Sequence, residues 1–215
     1  MTGSKRLLIL GGGGHAAVVA EAATNSGWSL EGYLDDNTVN EDNKLNNASH
    51  LGGISDLRNV INSLAGDIRV HAAIGSAKLR EKWLDLVGEM VAQPIIHPSA
   101  IVSKTATIKE GVFIGPGAVV NTGTVVERGV IINSAAVVEH DCVLDAFCHI
   151  APGAVLGGSV KVGRGSLIGI NAAVLPGITI GYEAIIGAGA VAVNNIADCV
   201  TAVGAPAQIV QLPCT

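Results

Sequence analysis

The chain has 215 residues, enough for two small domains, and only 14% of them are charged and 3% aromatic. Its formal net charge of −5 argues against nucleic acid as a partner, and no apolar run reaches the roughly 20 residues that span a bilayer. So few aromatics, beside 28 glycines, do not suit an ordinary thick core and do suit a thin one.

Residues 5–10 (KRLLIL) read as a buried strand. Four glycines cut that stretch short, which is not a signal-peptide core, and the chain is expected in the cytoplasm. After glycines 11–14 comes HAAVVAEAATNSG, a helix with Gly27 where its cap is expected. The next apolar stretch, LEGYLDD, ends in Asp35 and Asp36. This is the start of a βαβ unit, in which backbone N–H groups of a glycine loop can meet a pyrophosphate at a helix N-terminus. An acid about 20 residues further on can meet a ribose or sugar hydroxyl. A further strand is expected over 67–75 and a helix over 77–90, with Gly75 and Ser76 facing the same crevice. Only about 90 residues precede the next feature, too few for a full dinucleotide domain. Pro94 and His97-Pro98 mark a hinge, which divides the chain into 1–92 and 93–215.

From Ile95 the sequence repeats every six residues through 16 blocks: IIHPSA, IVSKTA, TIKEGV and onward to IIGAGA. The second position is Ile, Val or Leu in every block, and the sixth is small or β-branched. A helix would show a 3.6 period and a strand a 2 period, so period six means a solenoid. Each block is a short strand followed by a turn, since Gly, Pro, Asn, Asp and Ser gather at positions three to five. The sixth residue of one block and the second of the next are two apart and point the same way, inward. Three strands close a triangular coil, and 16 blocks make a little over five coils. With coils about 4.8 Å apart the prism is roughly 25 Å tall.

Four cysteines, Cys142, Cys148, Cys199 and Cys214, show no metal-ligand spacing, and no metal is expected. Cys142 and Cys148 stand at the inward sixth position and read as small core residues in a reducing compartment. A nucleophilic cysteine is the competing reading. An anionic ligand on this acidic chain would be held by backbone N–H groups or by Lys104, Arg128, Lys161 and Arg164.

The hexapeptide pattern resembles the hexapeptide-repeat acyltransferases, which implies a left-handed parallel β-helix, a homotrimer, and acyl-CoA lying between neighbouring prisms. With GGGGHA, LDD, AIG followed by Arg80, IHPSA, and NSAAVVEHDCVLDAFCHIAPGA, nearly the whole chain resembles bacterial nucleotide-sugar N-acetyltransferases related to sialic-acid O-acetyltransferase. The expected architecture is therefore an α/β Rossmann-like nucleotide-sugar-binding domain followed by the β-helix. The EHDC…HIAPGA run looks most like the enzyme that acetylates the 4-amino group of UDP-4-amino-4,6-dideoxy-N-acetylglucosamine, a diacetylbacillosamine precursor.

Acetyl transfer to an amine needs a base, a positioned thioester and an oxyanion donor. His140 occupies a turn position, so it projects from a corner of the prism, and the resemblance implies that it is the base. Asp141 could hold the imidazole, within the chain or across subunits. Asn133 is a polarising or positioning residue, or simply a turn former. The resemblance puts His149, Ile170 and Ala188 beside acetyl-CoA, the co-substrate, and implies that Gly13, Gly14, His15, Asp35, Asp36 and Gly75 cradle the nucleotide-sugar. The competing reading of His15 is a cap on its own helix. His50, His71 and His97 read as surface or structural. Two departures from the family pattern are Gln208, where relatives often carry a basic residue, and Ser76, where an Asn is common. Competing readings are N-acetylation of a GDP- or dTDP-amino sugar, O-acetylation of the sialic-acid type, and a non-catalytic trimeric scaffold. A nucleotidyltransferase is disfavoured by the short N-terminal half.

Overall fold

A computed structural model describes residues 5–37, 45–64 and 66–211; Cys214 lies outside them. Strand β1 (Lys5–Leu10) is the centre of a three-stranded parallel sheet, flanked by β2 (Trp28–Leu34) and β3 (Ile68–Ala72). Leu7, Leu8, Ile9 and Leu10 are all fully buried. The unbroken apolar run follows from cover on both faces of a parallel sheet. Leu7 and Ile9 cluster with helix α1 (Gly14–Asn25) and with Ile95, Phe113 and Ile131 of the solenoid. Leu8 and Leu10 cluster with Trp83, Leu84 and Val87 of helix α3 (Ala77–Val87) and with Phe147. A short helix α2 (Leu57–Ser63), which the sequence reading left out, precedes β3.

Beyond residue 94 the chain winds about six turns of a left-handed parallel β-helix. Its first face carries Ile95–Ile96, Phe113–Ile114, Ile131–Ile132, His149–Ile150, Leu167–Ile168 and Ile185–Ile186 in parallel register. The second runs from Ile101–Val102 to Val191–Ala192 and the third from Thr107–Ile108 to Thr179–Ile180. The second and sixth positions of the blocks form one continuous buried cluster, Cys142 and Cys148 included. The coil outlasts the 16-block repeat: Val191–Ala192 stacks on Ala173–Val174, and Thr201–Val203 stacks on Ile185–Ile186. Ala192 breaks the Ile/Val/Leu rule at the second position, so the sequence pattern stops before the coil does.

The N-terminal unit sits on the first face. Arg80, on α3, is the tie. Its side chain is fully buried and, among the described residues, makes no salt bridge. A guanidinium has five N–H donors. Nε donates to Gly129 O (2.7 Å), Nη1 to Ile74 O and Gly75 O (2.8 and 3.0 Å), and Nη2 to Phe147 O (2.5 Å) and, at the 3.5 Å limit, Cys148 O. Carbonyls of both units thus replace the water this cation gives up. Burial still pushes its pKa down to about 10. Arg128 and Arg164, offered by the sequence as anion donors, serve the same junction: Arg128 pairs with Asp85 and Arg164 with Glu81, both on α3.

Candidate active site

The glycine loop ends at the N-terminus of α1. Gly13 is its N-cap, with no side-chain cap, so His15 does not close the helix start. A Cβ built at Gly13, Gly14 or Gly75 would meet nothing within 4 Å. The protein's own packing does not require glycine there, and the volume is open to a ligand. Asp35, at the end of β2, accepts from Gly12 N (2.5 Å) through Oδ2 and from Asn37 N (2.8 Å) through Oδ1. Asp36 Oδ1 accepts from Ile54 N (2.7 Å). Both acids line a cavity of about 560 Å³, with Arg58 and Lys82 as its cations and Leu57, Trp83 and Leu86 among its apolar walls. Gly13, Gly14, His15 and Gly75 lie outside that lining. Arg58 and Lys82 were not singled out from the sequence; lone basic residues on helices carry no motif. Ser76 caps α3, its Oγ accepting from Leu79 N at 3.4 Å, which accounts for a hydroxyl residue at this position.

His15 reaches from α1 onto the solenoid. Its ring meets Phe113 edge-on at 5.4 Å and lies 6.5 Å from that of His149. Asn133 Oδ1 accepts from Ser134 N (2.8 Å), which fixes the amide, so Nδ2 donates to His149 Nε2 (3.2 Å). His149 is therefore neutral with its proton on Nδ1. Burial, with Arg80 nearby, pushes its pKa down to about 3, and that of His15 to about 4. His71 is fully buried, neither of its ring nitrogens has a hydrogen-bond partner among the described residues, and its pKa also falls to about 3.

His140 projects from a solenoid corner, its side chain 55% exposed, and Nδ1 lies 2.9 Å from Asp141 Oδ2. Neighbouring residues meet here because Asp141 has φ of 59°, a left-handed conformation that Asp tolerates better than most residues. Nδ1–H donates to the carboxylate and leaves Nε2 free to accept a proton.

Topology divides these residues. Asn133 follows Ile131–Ile132, at the corner between the first and second faces. Ile170 and Ala188 stand two and three coils further on at turns of that same corner, joined through Gly189 N to Ile170 O (2.8 Å), and both are exposed. His149 lies on the first face beside it. His140 follows Val137–Val138, at the corner between the second and third faces. One chain therefore carries the candidate base and the candidate CoA groove on opposite edges of its second face.

Both inward cysteines are poor nucleophiles. Cys142 Sγ donates to Gly157 O (3.2 Å), and burial raises both thiol pKa values. Among the described residues no group of three or more His, Cys, Asp or Glu could hold a metal ion, and no helix is long and apolar enough to cross a membrane.

Residues 6–87 match the family described as the PglD N-terminal domain. No curated protein matches the chain significantly. Among solved structures, a histidine-to-asparagine variant of perosamine N-acetyltransferase from Caulobacter crescentus, in complex with CoA and GDP-perosamine, is 34% identical over 98% of both chains, with a TM-score of 0.90. The acetyltransferase domain of PglB from Neisseria gonorrhoeae FA1090, in complex with acetyl coenzyme A, is 36% identical over 97% of this chain and 100% of that one, with a TM-score of 0.87. WeeI from Acinetobacter baumannii AYE, 21% identical over 96% of this chain and 100% of that one, shares the fold at a TM-score of 0.76.

Proposed function

Since the chain belongs to the hexapeptide-repeat sugar N-acetyltransferases, we propose that it moves the acetyl group of acetyl-CoA to the 4-amino group of a UDP-linked 4-amino-4,6-dideoxy sugar. The observation that carries the chemistry is the exposed His140, held through Nδ1 by Asp141 and open at Nε2. As the sugar nitrogen attacks the thioester carbonyl, Nε2 takes its proton, and Asp141 stabilises the imidazolium. The C–S bond then breaks, and the departing thiolate recovers a proton. His149, held neutral by Asn133, has an Nδ1–H to offer the thioester oxygen. Ile170 and Ala188 form the pantetheine wall. The cavity beside Asp35 and Asp36 takes the nucleotide, and Gly13, Gly14, His15 and Gly75 border the sugar diphosphate.

The division of these residues between two corners makes the working unit an assembly. We assign a homotrimer in which the His140 corner of one chain faces the Asn133 corner of the next. The second face between them exposes an apolar stripe, with Ile101 68% and Val155 42% exposed, as a buried interface would require. The buried free cysteines suit the cytoplasm, where both substrates would be available.

A second reading is a GDP-linked acceptor, supported by the likeness to the perosamine enzyme. The test is thiol release from acetyl-CoA with UDP-4-amino-4,6-dideoxy-N-acetylglucosamine, GDP-perosamine and a dTDP-4-amino sugar in parallel. The proposal requires the highest kcat/KM with the UDP sugar. A preference for GDP-perosamine selects the second reading, and no release with any amino sugar rejects both.

A further inference from the structure

The solenoid stacks each corner on the corner one coil below. Ser159 N donates to His140 O (2.8 Å), so residues 157–160 lie directly on the His140 turn. A Cβ built at Gly158 would stand 2.5 Å from His140 Nε2 and 2.6 Å from Cε1. That is well inside contact distance of the one ring nitrogen that Asp141 leaves free.

Other glycines of the coil have reasons of their own. A Cβ at Gly115, Gly157, Gly163 or Gly169 would strike backbone atoms of the next coil, and Gly117, Gly123 and Gly129 have positive φ. Gly158 has neither constraint. Its backbone is one that any L residue adopts, and the obstacle to a side chain is the tip of the half-exposed ring of His140. A fold would tolerate alanine here by letting the imidazole swing into water.

We infer that Gly158 is a positioning residue for the acetyl transfer: its missing side chain lets the His140 ring keep its bond to Asp141 while Nε2 stays open to the sugar amine. The inference rests on His140 being the base. Any side chain at 158 either rotates the imidazole off Asp141 or fills the space through which the nitrogen approaches.

The experiment compares Gly158→Ala, His140→Ala and the double variant with the wild-type protein. Gly158→Ala is expected to lower kcat about 100-fold, with KM for acetyl-CoA and the melting temperature close to wild type. Should Gly158→Ala lose stability, that loss must vanish when His140 is also alanine, since the clash is then gone. Wild-type kcat in Gly158→Ala, or an equal stability loss with and without the ring, overturns the inference while the base assignment stands. Full turnover by His140→Ala overturns the base assignment itself, and this inference with it.

Discussion

At the scale of single residues the account stands on His140. Replacing it with alanine removes a half-exposed side chain and should leave the melting temperature unchanged while lowering kcat by about 10²–10⁴. A variant that keeps kcat within a factor of two refutes the assignment. Cys142→Ala and Cys148→Ala should remain active, because both thiols are buried with raised pKa values; loss of turnover by a folded variant would point to a covalent route. The EHDC motif made His140 and Asp141 readable from sequence, and a turn position at period six already placed the ring outside the core. Their direct bond was not readable, because it depends on the positive φ of Asp141. Nor was the tautomer of His149, which follows from the orientation of the Asn133 amide.

Among elements, the junction between the α/β unit and the solenoid governs stability. Arg80→Met keeps a long apolar stem and strips five carbonyls of their donor, which should cost about 3–5 kcal/mol in denaturant unfolding. A loss below about 1 kcal/mol would mean that the carbonyls find other partners. The same junction makes the fold acid-sensitive. His15, His71 and His149 have folded-state values of about 4, 3 and 3, all below the ordinary 6.5. The unfolded chain therefore binds protons that the folded chain refuses, so stability is full above about pH 6.5 and falls as pH drops toward 4. Between its folded and unfolded values each of the three contributes up to roughly 1.4 kcal/mol per pH unit. His71→Phe should flatten that dependence; an unchanged slope would place the acid lability elsewhere. In the sequence, the strand at 5–10 and the helix after the glycines were plain from composition and capping. Helix α2 lacks a strong signal, and nothing in the pattern around Arg80 announces a buried cation, because the carbonyls that tie it to the solenoid include two that are 49 and 67 residues away.

For the whole molecule, period six was enough to read the prism, its inward residues and its three faces. It also assigns every corner residue to an edge, so the separation of His140 from Asn133, Ile170 and Ala188 was latent in the numbering. The proposed assembly rests on that separation and on the cover that the N-terminal unit gives the first face. If the proposed trimer forms through the second face, Ile101→Glu at its exposed start should give monomers in sedimentation and abolish turnover; an active monomer would show that one chain is sufficient.

The division of the site between chains is tested most directly by mixing two inactive variants. His140→Ala spoils one corner, and Ile170→Glu blocks the groove at the other. Co-expressed with different affinity tags and purified on both, they form trimers in which one of the three interfaces joins an intact His140 corner to an intact groove. Such mixed trimers should recover about one third of the wild-type rate, although neither variant is active alone. Mixed trimers no more active than their parents would contradict a site built from two neighbouring chains.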